Sequence, residues 1–154
     1  MRIALISDIH EDLEMLERAL EQISREKTDM IVCLGDIVGY GADPGYCVDR
    51  VRETCDIVVA GNHDYAVLGR ISIEYFNSHA REATLWTREQ LTKEQSRFLD
   101  GLGLVEVQEP STFVHGSLDS PEFFDYIQTS YDAFLTMEKL KTKVCWIGHS
   151  HVPI

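Results

Sequence analysis

Hydrophobic and polar positions divide the first part of the chain into alternating strand-like and helix-like segments. Three short, continuous apolar runs predict buried strands: Ile3 to Ile6, Met30 to Leu34 and Ile57 to Ala60. Between residues 13 and 23, leucine and isoleucine recur every three or four positions with charged residues in the gaps, which predicts an amphipathic helix. A shorter helix is predicted over residues 46–54, after a loop rich in glycine. This order predicts right-handed crossovers and a parallel sheet.

The second half of the chain has a different pattern. Residues 73–102 have mostly helical periodicity, and a loop followed by a helix is predicted over residues 119–140. Three further apolar runs predict strands, namely Leu104 to Val107, Thr112 to His115 and Val144 to Ile147. A turn at Glu109-Pro110 makes the first two an antiparallel hairpin. We therefore expect an α/β fold with helices flanking either one mixed sheet or a two-sheet sandwich.

Composition and charge limit what the chain can bind. Its 154 residues, 44% of them hydrophobic, predict a single domain over residues 1–154. With 26 acidic and 14 basic residues the net charge is −12, which argues against non-specific binding to nucleic acid. No apolar run approaches the ~20 residues of a membrane helix, and the N-terminal apolar stretch is too short for a signal peptide. Together with four cysteines that lack CxxC spacing, these features predict a cytoplasmic protein with reduced thiols.

Residue types that bind metals or transfer protons follow five of the predicted strands. They are Asp8 and His10, then Asp36, then Asn62 with His63 and Asp64, then His115, and finally His149 with His151. Because ligands bind at the carboxyl ends of parallel strands, we expect these side chains to converge. Carboxylate, imidazole and amide donors without thiolate suit Mn²⁺, Fe or Zn²⁺. The seven candidates other than His63 and Asp64 exceed the four ligands of one tetrahedral ion, and they suit two ions with a bridging carboxylate.

Each of these residues, taken singly, also has an ordinary structural explanation. Asp8 and Asp36 are typical helix N-caps or turn residues, and Asn62 after a glycine is typical of a left-handed turn. A lone histidine such as His115 is more often a hydrogen-bonded buried residue than a ligand. The ordered set, with each block after a strand, favours the metal site.

The ordered blocks resemble those of the calcineurin-like metallophosphoesterases across nearly the whole chain. The blocks are Asp8-x-His10, Gly35-Asp36, Gly61-Asn62-His63-Asp64, His115 and Gly148-His149-x-His151. The resemblance implies that family's fold, two mixed sheets packed as a sandwich and flanked by helices in four α/β/β/α layers. It implies a first metal held by Asp8, His10, Asp36 and His151, and a second held by Asp36, Asn62, His115 and His149. His63 would be the proton donor or a phosphate contact, oriented by Asp64.

The resemblance also implies an activity, the hydrolysis of small phosphate esters, with phosphodiesters favoured over monoesters. Two divalent cations would offset the charge of the transition state, with Mn²⁺ the first candidate and Fe, Ni²⁺ or Zn²⁺ the others. In so acidic a chain, bound cations are also the main source of positive charge for an anionic substrate. His63 would protonate the departing oxygen.

Two departures from the family pattern refine this interpretation. Protein Ser/Thr phosphatases and the diadenosine tetraphosphate hydrolases that resemble them carry an arginine where this chain has Tyr40, which points to the small bacterial phosphodiesterase-like branch. Family members usually continue past the Gly-His-x-His block, so we expect the family's C-terminal strands to be absent from this sequence. A non-catalytic scaffold on the same fold and a phosphoprotein phosphatase remain alternative functions, and the oligomeric state, including a dimer, stays open.

Residues around these blocks carry weaker signals. Glu11 and Asp12 are predicted to begin the first helix, where acidic residues are favoured by the helix dipole. Phe76 is predicted to be a core aromatic residue. Tyr40 either faces the pocket or packs within its own loop, and Tyr126 is equally a candidate for the pocket rim.

Overall fold

The computed structural model describes residues 1–152, and the last two residues of the expected domain, 153 and 154, lie outside the described residues. Two sheets and their flanking helices account for most of this length. Within residues 1–152, none of the helices is both long enough and apolar enough to cross a membrane. The four cysteines are free thiols, and Cys33 and Cys47 are fully buried.

The N-terminal part forms a parallel three-stranded sheet in the order β1 (Ile3–Ile6), β2 (Met30–Cys33) and β3 (Ile57–Val58). Helices α1 (Leu13–Arg25) and α2 (Pro44–Thr54) make the two crossovers. The parallel order predicted from the alternation of strands and helices is therefore confirmed. β3 is shorter than the apolar run that predicted it, because beyond it the chain makes only an isolated bridge to the second half.

Three helices follow the first sheet: α3 (Asn62–Val67), α4 (Ser78–Gln90) and α5 (Lys93–Asp100). The turn expected after β3 is therefore the N-terminus of a helix, which Gly61 caps. The long helical stretch predicted from the sequence is divided into α4 and α5. The division falls at Thr92, whose side chain and that of Gln95 each accept the other's backbone N–H in a capping box that starts a new helix.

The second sheet is mixed and comes from the C-terminal part of the chain. Strands β4 (Val105–Gln108) and β5 (Ser111–Val114) pair antiparallel, and β6 (Val144–Trp146) pairs parallel to β5. Helix α6 (Ser130–Lys139) supplies the crossover between β5 and β6. The hairpin and the mixed pairing expected from the sequence are confirmed.

Alternate residues of β2 belong to two different cores, because successive side chains of a strand point to opposite faces. Cys33 belongs to a cluster that includes Leu16 of α1 and Val51 of α2. Val32 belongs to a second cluster that includes Phe113 of β5. The first sheet therefore lies between helices and the second sheet, and the predicted sandwich flanked by helices is confirmed.

The packing of Phe113 between the two sheets makes a stability prediction. Its side chain is 0% exposed, so Phe113→Ala removes a large buried ring and should lower the free energy of unfolding by about 3–5 kcal/mol. Phe123, which is 70% exposed, provides a matched control, and its replacement by alanine should change stability by less than about 0.5 kcal/mol. Urea denaturation measures both, and equal effects would contradict the assignment of Phe113 to the inter-sheet core.

Candidate metal centre

The loops that follow the strands converge on one cleft of about 260 Å³ at the carboxyl ends of the parallel strands. Its lining comes from the segments after five strands and includes His10, Asp36, His63, Tyr126 and His149. The loops after β1 and β2 are joined by backbone hydrogen bonds, from Asp8 N to Gly35 O and from His10 N to Asp36 O, both 3.0 Å. The expected convergence of strand ends is therefore present in the structure.

Ligand atoms from these loops form three groups, two of which include Asp36. Asp8, His10 and His151 offer atoms that all lie within 4.8 Å of one another, and so do Asp36, His115 and His149. A third such group combines Asp36 with His10 and His63. The structure thus brings together six of the seven candidate ligands in these groups, with Asp36 between the two sides. Asn62, the seventh, lines the same cleft.

Backbone carbonyls determine which nitrogens of two histidines face the cleft. His115 Nδ1 lies 2.7 Å from Leu34 O, and His10 Nδ1 lies 3.2 Å from Val38 O. A carbonyl oxygen only accepts, so each Nδ1 carries a hydrogen and the neutral ring has its lone pair on Nε2. His115 Nε2 then lies 3.1 Å from His149 Nδ1, and His10 Nε2 lies 3.2 Å from His151 Nε2. Two imidazole nitrogens this close to each other can both bind one cation.

Unpartnered polar atoms provide the test of whether these residues fit metal ions. Asp8 Oδ1, Asn62 Oδ1 and His63 Nδ1 are buried, and among residues 1–152 none has a hydrogen-bond partner, although His151 Nε2 lies 3.2 Å from Asp8 Oδ1. A buried polar atom without a partner costs about 1–3 kcal/mol. The two oxygens are of the type that divalent cations coordinate, and they lie among the imidazoles described above. The residues present therefore fit divalent ions.

Burial and neighbouring charges shift the pKa values of three candidate ligands. Asp36 is 1% exposed, and although burial opposes ionisation, His115 and the other nearby imidazoles hold the pKa of its carboxyl well below the usual range. Burial lowers the pKa of His149 to about 4, helped by the charge of His115, so this ring is neutral at pH 7. Burial lowers the pKa of His115, but the negative charge of Asp36 outweighs this effect and raises the pKa to about 9. His115 must therefore release a proton when it binds a cation.

The backbone at the candidate ligands is strained. Five of the seven have positive φ angles, namely Asp8 (53°), His10 (49°), Asp36 (52°), His149 (67°) and His151 (57°). Non-glycine residues seldom adopt this region, and strain of this kind is concentrated at functional sites. Gly35, with φ at 96°, allows close contact between the loops, because a Cβ there would lie 2.5 Å from Gly61 N. The strained conformations agree with a functional centre at these strand ends.

The expected role of Asp64 is not supported, because its carboxylate does not contact His63. Its two oxygens accept from the backbone N–H groups of residues 36, 37, 38 and 61, at 2.9 to 3.3 Å. His63 Nδ1 has no hydrogen-bond partner in the part of the chain that the structure describes. Burial and Asp36 raise the pKa of Asp64, whereas N–H donors including Gly61 and Val38 oppose that shift. Asp64 holds the loop that carries Asp36 in place.

Four residues near the centre were given other roles from the sequence, as Glu11 and Phe76 were, or were left between two positions, as Tyr40 and Tyr126 were. Glu11 was expected to begin α1 together with Asp12, but it precedes the N-cap, Asp12, and its side chain is 1% exposed. Phe76 was expected in the core, but its ring lies 5.0 Å from that of His63. Tyr126 stacks on His149 with ring centroids 3.8 Å apart and lines the cleft, as does Tyr40. No sequence signal distinguishes these aromatic residues from core residues, because their spacing fits either role.

Comparison with known proteins identifies the class. The family model for calcineurin-like phosphoesterases matches residues 1–153, and the chain belongs to this family. It is 40% identical over 157 aligned positions to the uncharacterized protein MJ0912 of Methanocaldococcus jannaschii, covering 98% of this chain and 63% of that protein. The resemblance to the calcineurin-like metallophosphoesterases noted from the ordered sequence blocks is therefore confirmed.

Solved structures extend the comparison. The crystal structure of a metallophosphoesterase from Sphaerobacter thermophilus is 42% identical, with a TM-score of 0.86 over 99% of this chain and 62% of that one. The hypothetical protein PH1004 from Pyrococcus horikoshii has a TM-score of 0.82 at 19% identity, over 99% of this chain and 70% of that one, and supports the fold alone. The chain thus spans less than two thirds of the length of MJ0912 and of the Sphaerobacter thermophilus protein.

The two ligand groups predict how the chain binds metal. Calorimetric titration with Mn²⁺ should give two ions per chain, and the measured heat should vary with the ionisation enthalpy of the buffer, because His115 releases a proton. Asp36 Oδ2 lies 3.8 Å from His10 Nε2 and 3.3 Å from His115 Nε2, so Asp36→Asn should weaken binding of both ions by at least about tenfold. Glu14→Gln on the exposed face of α1 serves as the control. Unchanged binding in Asp36→Asn would contradict the shared position of Asp36.

The bonds of Asp64 predict that its loss affects folding. An amide nitrogen cannot accept, so Asp64→Asn brings an N–H₂ group against buried N–H donors and should cost about 3 kcal/mol or more in unfolding free energy. His63→Ala should cost less, because the ring that it removes has an unpartnered Nδ1. Urea denaturation of both variants measures the two changes in the free energy of unfolding. If Asp64→Asn kept native stability, the positioning role of its carboxylate would be wrong.

Proposed function

We propose that the protein is a dinuclear metal-dependent phosphohydrolase that cleaves phosphodiesters. The observation that carries this proposal is the position of Asp36 between two groups of ligand atoms, one with Asp8, His10 and His151 and the other with His115 and His149. Membership of the calcineurin-like phosphoesterase family supports the general class of reaction.

The residues divide into two proposed ligand sets that share the Asp36 carboxylate. The first consists of Asp8, His10, Asp36 and His151, and the second of Asp36, Asn62, His115 and His149. The mixture of carboxylate, amide and imidazole donors suits Mn²⁺ first, with Fe, Ni²⁺ and Zn²⁺ as alternatives. When bound, two such ions supply charge neutralisation for the phosphate oxygens and a water of lowered pKa.

His63 is the proposed proton donor to the departing oxygen. Its backbone N–H donates to Asp36 Oδ1 at 2.8 Å, so the residue is held next to the proposed bridging ligand. Its ring lines the cleft with an unpartnered Nδ1. Burial lowers the pKa of His63, which makes its protonated form a stronger acid. We expect the rate to fall as rising pH deprotonates this ring.

The charge of the cleft favours a diester over a monoester. Among the described residues that line it, none is a lysine or an arginine. A monoester carries more negative charge at neutral pH than a diester does, and that additional charge would have no lysine or arginine in the described lining to meet it. Tyr40, 40% exposed, and Tyr126, 51% exposed, line the cleft instead and can contact an uncharged second ester group.

Hydrolysis of aryl phosphates tests the proposed function. With Mn²⁺ bound, kcat/KM should be higher for bis(p-nitrophenyl) phosphate than for p-nitrophenyl phosphate. Asp36→Asn should abolish turnover, and His63→Ala should lower kcat by about 10²-fold or more, because general acid catalysis contributes on that scale. Glu14→Gln should leave the rate unchanged. Absence of turnover with Mn²⁺, Ni²⁺, Fe²⁺ and Zn²⁺ alike would reject the proposal in favour of a non-catalytic scaffold.

A further inference from the structure

Glu11 follows the candidate ligand His10 and has a conformation that its sequence position does not explain. Its φ angle is 66°, and its side chain is 1% exposed. A glycine would adopt this angle without strain, whereas a glutamate stays there only where surrounding contacts hold it. Glu11 Oε1 accepts from Gly39 N and from Thr87 Oγ1, both at 2.5 Å. These two bonds are the contacts that hold the side chain inside.

Glu11 joins the loop after β1 to the loop after β2 at three points. Its backbone N–H donates to Ile37 O at 3.0 Å, and its carbonyl oxygen accepts from Asp43 N at 3.2 Å. Between these two backbone contacts, its side chain accepts a hydrogen bond from Gly39 N. Thr87 adds a connection to α4. Glu11 therefore holds the segment from 37 to 43 at residues 37, 39 and 43.

That segment forms one wall around His63. The imidazole packs so closely on Gly39 that a Cβ there would lie 2.5 Å from His63 Nδ1. The ring of the next residue, Tyr40, lies 4.8 Å from that of His63 and 5.1 Å from that of His10. A displacement of the backbone at Gly39 would therefore change the orientation of the His63 ring directly.

We propose that Glu11 is a positioning residue for His63, holding the Gly39 backbone against the imidazole so that the ring is aimed at the departing oxygen of the substrate. This inference rests on the proposed function, in which His63 is the proton donor. Glu11 acts through Gly39 and does not itself touch the substrate. The bond to Gly39 N, more than the negative charge, is what the role requires.

Two variants remove the bond to Gly39, and one keeps it. Glu11→Gly relieves the strained φ angle and removes the acceptor. Glu11→Asp keeps the charge but is shorter by one methylene, and it provides the same test if the glycine variant fails to fold. Glu11→Gln retains an oxygen at the Oε1 position and should behave like the native protein. Glu14→Gln, on the exposed surface of α1, is the matched control for loss of a nearby acidic charge.

The first readout is the dependence of rate on the leaving group. With Mn²⁺ bound, Glu11→Gly and Glu11→Asp should lower kcat for methyl phenyl phosphate about tenfold more than for methyl p-nitrophenyl phosphate, since a poorer leaving group depends more on its acid. Glu11→Gln should restore the native ratio of the two rates. In His63→Ala, the added Glu11→Gly should change the ratio no further. An equal loss for both substrates would overturn the proposal.

The second readout does not depend on activity. In the metal-free and the Zn²⁺-loaded full chain, the imidazole resonances of His63, assigned by their loss in His63→Ala, should shift in Glu11→Gly and Glu11→Asp and remain native in Glu11→Gln. Unmoved resonances would overturn the positioning role even if the enzyme is active. A native chain without phosphodiesterase activity, whose His63 resonances nevertheless follow Glu11, would reject the proposed function and retain the structural coupling.

Discussion

The burial of the Asp36 carboxylate is the constraint on which the rest of the centre depends. At 1% exposure it cannot keep its charge without partners, because an isolated buried carboxylate would lose far more hydration than it could recover. The partners come from both sheets: His63 N at 2.8 Å from the β3 side and His115 Nε2 at 3.3 Å from β5. The two sheets are thus connected at their carboxyl ends by one charged side chain as well as by apolar packing.

Three buried carboxylates around the cleft have different tasks. Asp36 faces the candidate ligands, whereas Asp64 accepts from four backbone N–H groups and Glu11 from Gly39 and Thr87. The latter two stabilise loop conformations in which candidate ligands have positive φ angles. Two of the three buried carboxylates therefore hold backbone, and Asp36 lies in groups of side chains that could hold a metal ion. The described cleft lining includes no lysine or arginine.

The sequence predicted the parts of the fold that depend on local pattern. Apolar runs placed every strand to within a few residues, and the order of strands and helices predicted the parallel first sheet. The division of residues 73–102 into two helices was missed, since the capping pair Thr92 and Gln95 lies inside a continuous helical periodicity. The ligand types at strand ends were found because parallel strands bring their carboxyl ends to one edge.

What the sequence by itself determined is which metal-binding residue types follow which strands, because strand order and spacing bring them to one edge whatever the details of the loops. Only the tertiary structure decided that Asp64 binds backbone N–H groups and not His63, and that Glu11 is buried and not on a helix surface. The reason is that, apart from Gly61 beside Asp64, their partners lie far away in the chain. For Glu11 the separation is 28 residues to Gly39 and 76 to Thr87. Backbone N–H groups are carried by every residue type except proline, so no pattern of letters marks the ones that a buried carboxylate will meet.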